Sequence, residues 1–427
     1  MSCLKHGINT SLAVVILFGS VPALAQQAPP LQGYLYVSDN GYQSLDRYAY
    51  SWDGTNPMSI VAAGTDTGNP SSSLFINLGS NNTAGIVGTR NDLILVTQDG
   101  IKRYDFSGNV IGTTQAILNQ AGGAYPLIDP GHAAASADGK YLFVAETGAG
   151  MLDKIDLNSG KIVAQAALAN AHDVSVLPDG SVIASGLSGS TGIVRFTSDL
   201  STSKQLVSPN PDPNDPSSTY LTSDGTNVHL AAPTGLAYAG GASGGKLYVQ
   251  QNNGANAGAV LVFDVTLGDG SINAASASFQ SSASLSTGSG SNAVIANSLD
   301  AEIGVDGKYY AAAFGSGYPF ASTPAVTPDP NYFNNTTTGI FQYDITTGVP
   351  ASTLSVAGFN QTTFTGGDSG LYAPKYMAFE NNFIAFNDAG TPEPGTEALM
   401  VSAFGAGAIF LRRRRKRVAN LEASAQQ

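Results

Sequence analysis

The chain reads as an all-β protein closed into a β-propeller of seven blades, with six as the alternative count. Three observations point there. Glycine is abundant (50 of 427 residues) while charged residues make up only 12%. One hairpin unit recurs along the chain, and its compact copies are spaced about 40 residues apart, the length of a propeller blade. Low charge argues against helical bundles and coiled coils. A single cysteine, Cys3, excludes a disulfide scaffold and leaves no thiol chemistry for the body of the chain.

In chain order, residues 1–25 come first. Lys5 and His6 precede an apolar run from Ser11 to Phe18, and Val21-Pro22-Ala23-Leu24-Ala25 then leads into Gln26. A basic start, a short apolar centre and an Ala-x-Ala exit make a secretory signal peptide, too short for a membrane span. Signal peptidase is the implied processing partner, and residues 26–390 remain as the folded domain.

The repeat is a Gly-containing turn, four or five β-formers, a polar gap, and a second β run ending near an Asp. Loose copies open the series: Gly33-Tyr34-Leu35-Tyr36-Val37 with Asp46-Arg47-Tyr48-Ala49-Tyr50, and Leu93-Ile94-Leu95-Val96 with Ile101 to Asp105. The clearest copy is Asp138 to Ala145 with Lys154 to Val163. It is followed by Asp179 to Ala184 with Ile193 to Phe196, Gly245 to Val249 with Val260 to Asp264, and Asp306 to Ala311 with Ile340 to Gly348. A truncated last copy at 375–388, carrying Asn382 to Phe386, is expected to be closed by N-terminal sequence. Alternation bounded by Asp-Gly and Ser-Gly turns defines hairpins, and a preceding strand such as Ala133-Ala134-Ala135 or Val174-Ser175-Val176 completes each sheet. Stretches 208–228, 268–292 and 318–338, rich in Pro, Ser, Ala, Gly, Asn or Thr, read as surface excursions because the pattern resumes after each.

Lys140 to Val163, a short β run, a polar gap and a run ending in Ile-Asp-x-x-x-Gly, resembles a YVTN- or NHL-type propeller repeat. The competing fold is a pair of β-sandwiches.

Segments entering the innermost strand of each blade face the channel mouth and are the first candidates for chemistry. They carry His132, His172-Asp173, Thr234, Asp300 and Glu302, and Lys375. Imidazoles and carboxylates from separate blades can hold Ca²⁺ through oxygen or a softer ion through nitrogen. The bland alternative is a wet channel lining or blade-to-blade hydrogen bonding. Gluconolactonase-like propellers bind a divalent ion through Glu, Asn and Asp, and Glu302, Asp300 and Asp173 are of suitable type here, although no motif matches residue by residue. No cofactor is expected beyond such a cation. The chain has no Gly-x-Ser-x-Gly elbow and no His-Glu-x-x-His, and Asp212-Pro213-Asn214-Asp215 lacks calcium-loop spacing.

At the far end, Pro392-Glu393-Pro394 precedes an uncharged apolar stretch, Ala398 to Leu411, and then Arg412, Arg413, Arg414, Arg415, Lys416 and Arg417. The apolar stretch is short for a bilayer core of about 30 Å, but the arginines can snorkel, and the basic block should stay cytoplasmic. Order, spacing and position resemble the PEP-CTERM sorting domain, although residues 418–427 trail the basic block. That resemblance implies residues 391–417 are a membrane-anchor helix and sorting signal recognised by exosortase, in bacteria that make exopolysaccharide.

Without its two ends the body carries twelve basic and thirty acidic residues, about −18, which excludes binding to nucleic acid by phosphate neutralisation. The expected function is a non-enzymatic interaction or structural role. The protein would be a membrane-tethered precursor that ends in the cell envelope or outside the cell. An envelope lactonase-like hydrolase and a glycan- or peptide-binding module are the alternatives.

Overall fold

The computed structural model describes residues 31–39, 44–54, 58–64, 74–78, 83–89, 91–187, 191–207, 220–221, 227–228, 230, 232–251, 259–268, 271–284, 296–315, 339–343, 354–355 and 374–380. The signal peptide, the truncated copy at 382–386, and the PEP-CTERM motif, apolar stretch and basic block all lie outside them. Among the described residues no helix is long and apolar enough to cross a membrane.

The first sheet collects β1 (Leu31–Asp39), β2 (Ser44–Trp52), β3 (Ser59–Ala62) and β4 (Leu74–Asn77). A three-stranded sheet follows, of β5 (Thr83–Gly88), β6 (Leu93–Thr97) and β7 (Gly100–Tyr104). Next come two four-stranded sheets. One holds β8 (Pro130–Ala135), β9 (Tyr141–Glu146), β10 (Met151–Asp156) and β11 (Lys161–Ala167). The other holds β12 (Ala171–Val176), β13 (Val182–Gly186), β14 (Ile193–Phe196) and β15 (Ser203–Val207). After a two-stranded ladder of β16 (Tyr220–Leu221) and β17 (Asn227–Val228) stands the sheet of β18 (Pro233–Gly241), β19 (Gly244–Gln251), β20 (Ala259–Thr266) and β21 (Ser276–Ser284). Then come β22 (Ala296–Ile303), β23 (Tyr309–Gly315), β24 (Gly339–Tyr343) and β25 (Leu354–Ser355). Finally β26 (Pro374–Phe379) pairs antiparallel with β1, Leu35 opposite Phe379 and Asp39 opposite Pro374. The innermost strands touch in the cyclic order β5, β8, β12, β18, β22, β26 and back to β5, so the ring is closed.

This is a β-propeller with five full blades of four or five strands, plus the three-stranded sheet of β5 to β7. The expectation of seven blades, with six as the alternative, is corrected accordingly. The expected closure of the last copy by N-terminal sequence is found where β26 pairs with β1, and it makes the copies at 33–50 and from 375 one blade instead of two. The Leu93 copy gathers three strands among the described residues, and beyond β7 Val110 and Gln115 make isolated antiparallel bridges to Tyr104 and Ile101 in place of a full fourth strand. The excursion expected at 268–292 is corrected in part. After a 3₁₀ turn at Ile272–Ala274, Ser276–Ser284 runs as the outer strand of its blade, with Ala277 buried beneath the sheet and Phe279 packed edge-on against Phe263 at 5.8 Å. A Ser/Ala run looks like low complexity, but at a sheet edge its alternation still supplies one buried face.

The core lies between blades. One hydrophobic cluster fills each junction, and successive residues of a strand belong to opposite clusters. Leu93 and Leu95 pack toward the first sheet while Ile94 and Val96 pack toward β8 and β9; Tyr36, Tyr376 and Ala378 face one side of the first sheet while Leu35, Val37, Met377 and Phe379 face the other. Each sheet is therefore covered on both faces, which is why the strands read as near-continuous apolar runs such as Leu-Ile-Leu-Val. Arg195 on β14 reaches across one junction. Its guanidinium pairs with Asp179, donates to Ser181 Oγ at 2.9 Å, and donates to the Leu267 carbonyl of the next blade at 3.2 Å, all with 1% of the side chain exposed.

Candidate functional site at the channel mouth

The pairing register slips at the same place in every inner strand: between Thr83 and Gly85, Pro130 and Ala133, Ala171 and Asp173, Pro233 and Gly235, Ser298 and Asp300, and beside Pro374 on β26. A bulge adds a residue to one strand and re-aims its side chain. The bulges place His132, His172, Thr234 and Lys375 at or beside the slip, with Asp173 and Asp300 as the first residues to resume the ladder. The ring is tight here. A Cβ on Gly131 would collide with the carbonyl oxygen of His172, and one on Gly235 would lie 3.0 Å from the Ala301 nitrogen, so glycine is what allows the inner strands to approach.

Three of the five sequence candidates come together. His132 Nδ1 lies 2.7 Å from Asp173 Oδ1, and its Nε2 lies 3.8 Å from Asp300 Oδ1, with both carboxylates fully buried. One ligand atom from each of His132, Asp173 and Asp300 falls within 4.8 Å of the others. The carboxylates are also bound to backbone in the same way in two blades. Asp173 accepts from its neighbour Val174 N–H at 2.6 Å and from Leu236 N–H in the next blade at 2.5 Å. Asp300 accepts from Ala301 N–H at 2.8 Å and from Met377 N–H in the next blade at 2.7 Å. The imidazole of His132 stacks on the Tyr376 ring, centroids 5.4 Å apart and 18° from parallel. Among the described residues, none gives a hydrogen bond to His132 Nε2, His172 Nε2 or the Tyr376 hydroxyl, all of them buried.

The other two candidates stand apart. Glu302 is half-buried and lines the channel one alternation below Asp300, and His172 is buried beside Asp173 without bonding to it. The channel below the mouth encloses about 140 Å³, and its lining is chiefly aliphatic, including Ile86, Val87, Ala133, Val174 and Leu236.

Electrostatics separate the two histidines. Burial opposes the charged form of His132, but Asp300, Asp173 and Glu302 outweigh it and push the imidazole up to about 10. His172 has burial reinforced by Lys375 and His132, against which Asp173 alone is insufficient, so it falls to about 4. Burial lifts Asp300 to about 6, the His132 charge opposing. Lys375 is lowered to about 8 by burial, with Asp129 opposing.

Tyr376 was not singled out by sequence because nothing local distinguishes it from the other packing tyrosines. A second polar group also escaped notice: Glu146 at the end of β9, which accepts from the Tyr125 hydroxyl at 3.0 Å and from Ile128 N–H, and Asp153 on β10, which accepts from Gln165 Nε2 at 2.9 Å. Both acids are fully buried. Only their diagonal position across a hairpin, with Glu146 opposite Met151 and Asp153 opposite Val144, could have signalled the pair.

No family model and no curated protein matches the chain. Solved structures resemble it at low identity. One in a nidogen/laminin complex is 11% identical over 82% of this chain and 98% of that one, with a TM-score of 0.45. A candidate 6-phosphogluconolactonase from Bacteroides fragilis is 11% identical over 83% and 99%, TM-score 0.43. A catalytically inactive virginiamycin B lyase from Staphylococcus aureus, solved with quinupristin, is 13% identical over 64% and 69%, TM-score 0.35. These differ in role among themselves, and the assignment as a propeller rests on the closed ring of sheets described above.

Proposed function

We propose that the protein is an exported β-propeller of the cell envelope or extracellular matrix, with a non-catalytic interaction or structural role, sorted through a PEP-CTERM tail. The observation that carries the non-catalytic reading is how the mouth carboxylates are used. A general base must be free to reach a substrate or a water. The carboxylates of Asp173 and Asp300 instead accept N–H groups from the next blade, in duplicate, and act as joints of the ring. The aliphatic channel below them offers few groups to orient a polar substrate.

Export and sorting rest on the two ends of the sequence: the leader at 1–25, and Pro392-Glu393-Pro394 with the apolar stretch and the basic block at 412–417. Deleting 391–427 should move the protein from the membrane fraction to the periplasm or medium, and unchanged fractionation overturns the sorting claim. For the role itself, the purified protein is offered lactones with and without Ca²⁺ or Zn²⁺, and separately a glycan array. Retention without turnover supports the interaction role. Turnover that is lost in Asp173→Asn or Asp300→Asn variants of unchanged melting temperature establishes the hydrolase instead.

A further inference from the structure

His132 presents a nitrogen that the fold does not use. Its Nδ1 is held by Asp173, which fixes the ring, while Nε2 has no hydrogen-bond partner among the described residues although the residue is only 5% exposed. Across from Nε2 stands Asp300 Oδ1 at 3.8 Å, too far for a hydrogen bond. An ion bound at about 2.0–2.2 Å to imidazole nitrogen and carboxylate oxygen at a tetrahedral angle holds the two ligands about 3.4 Å apart, so the 3.8 Å gap closes with a side-chain adjustment of a few tenths of an ångström. The Tyr376 hydroxyl, fully buried and without a hydrogen-bond partner among the described residues, belongs to the ring stacked on the same imidazole.

We propose that His132 Nε2 and Asp300 Oδ1 bind a zinc-class divalent ion at the channel mouth, with Asp173 orienting the imidazole from behind. A carboxylate on the far nitrogen of a metal-bound histidine is the usual supporting contact, which sets the tautomer and raises ligand basicity. Mixed nitrogen and oxygen donors favour zinc, cobalt or manganese over calcium. Glu302 and His132 both line the channel through which an ion and its waters would arrive, and the ion would displace the proton that the carboxylates hold on the imidazole. The ion ties β8 to β22 across the ring, and Asp300 carries the tie to β26 through Met377 N–H. This role is structural and rests on the reading of the mouth as a joint.

The test uses the purified full-length chain, stripped with chelator and titrated with Zn²⁺, then with Co²⁺. The site predicts one equivalent bound, a rise in melting temperature of several degrees, and a visible Co²⁺ absorption characteristic of nitrogen and oxygen ligation. His132→Gln and Asp300→Asn should each lower affinity at least tenfold and abolish the Co²⁺ band, while His172→Gln should retain both. If a variant fails to fold, the wild-type Co²⁺ spectrum and stoichiometry still decide. No binding of Zn²⁺ or Co²⁺ at millimolar concentration, or a band that survives His132→Gln in folded protein, overturns the site and leaves the non-catalytic role intact. Binding accompanied by lactone turnover keeps the site and overturns that role.

Discussion

Two histidines on neighbouring inner strands should give the protein opposite responses to pH. The folded pKa of His132 lies above the unfolded value of 6.5, so its contribution to stability is fully present below about 6.5 and is lost as pH climbs toward 10. The folded pKa of His172 lies below 6.5, so its contribution is present above that value and is lost as pH falls toward 4, by on the order of 3 kcal/mol. Chemical denaturation across pH 4 to 10 should therefore show the acid limb flattened in His172→Asn and the alkaline limb flattened in His132→Gln. An acid limb unchanged in His172→Asn would show that this imidazole is solvated. Sequence placed both residues at the mouth, because position before an inner strand is readable from the repeat. It could not assign their opposite charge states: that of His132 depends on Asp173 and Asp300, brought alongside from other blades by the ring, and that of His172 on burial beside Lys375 and His132.

At the scale of the hairpin, Asp153 makes a sharper case. Burial first, and then the neighbouring Glu146, hold its carboxyl up at about 7, with Gln165 opposing. A carboxyl raised in the folded state stabilises the fold fully below about 3.8 and loses that contribution as pH rises toward 7. Asp153→Asn should accordingly raise the melting temperature at pH 8 and leave it nearly unchanged at pH 4. A loss at both pH values would mean that the acid makes a bond the amide cannot replace. The β9–β10–β11 unit was the most legible repeat in the sequence, since Lys140 to Val163 carries both of its turns; the β9–β10 register follows the alternation residue by residue, and β10–β11 slips once between Lys154 and Ile155. The pair inside it was not legible, because period-2 patterning says which face a residue occupies and not which residue stands diagonally across. Insertions obscured other elements for a related reason: β21 is Ser- and Ala-rich, so its burial comes from the neighbouring blade and not from its own hydrophobicity.

For the whole molecule, the joint between β1 and β26 is decisive. Tyr34 N–H donates to Glu380 Oε2 at 2.9 Å, and the Tyr376 N–H donates to Ser38 Oγ at 3.0 Å. Met377 and Phe379 pack into one junction beside the first sheet and Tyr376 and Ala378 into the other. Removing 374–427 should abolish cooperative melting and expose dye-binding apolar surface, because two junctions lose their packing together and β1 gains an open edge. Removing only 391–427 should leave the melting transition in place. If both truncations melt alike, the ring does not depend on this strand. Closure of the last copy by N-terminal sequence was legible, but hairpin counting along the chain takes the copy at 33–50 and the one beginning at 375 as two blades where β1 and β26 make one.

The same joint sets a schedule. Its bonded residues lie 346 positions apart. At roughly 5–20 residues per second, the first strand waits about 20 to 70 s after synthesis for its partner to be made. Until then no ring exists, and the half-built protein carries an unpaired strand edge and an uncovered aromatic face. A chain in that condition is also one that can still be threaded through a narrow translocation pore, and whatever binds that edge in the interval holds the timing of when the protein becomes a closed object.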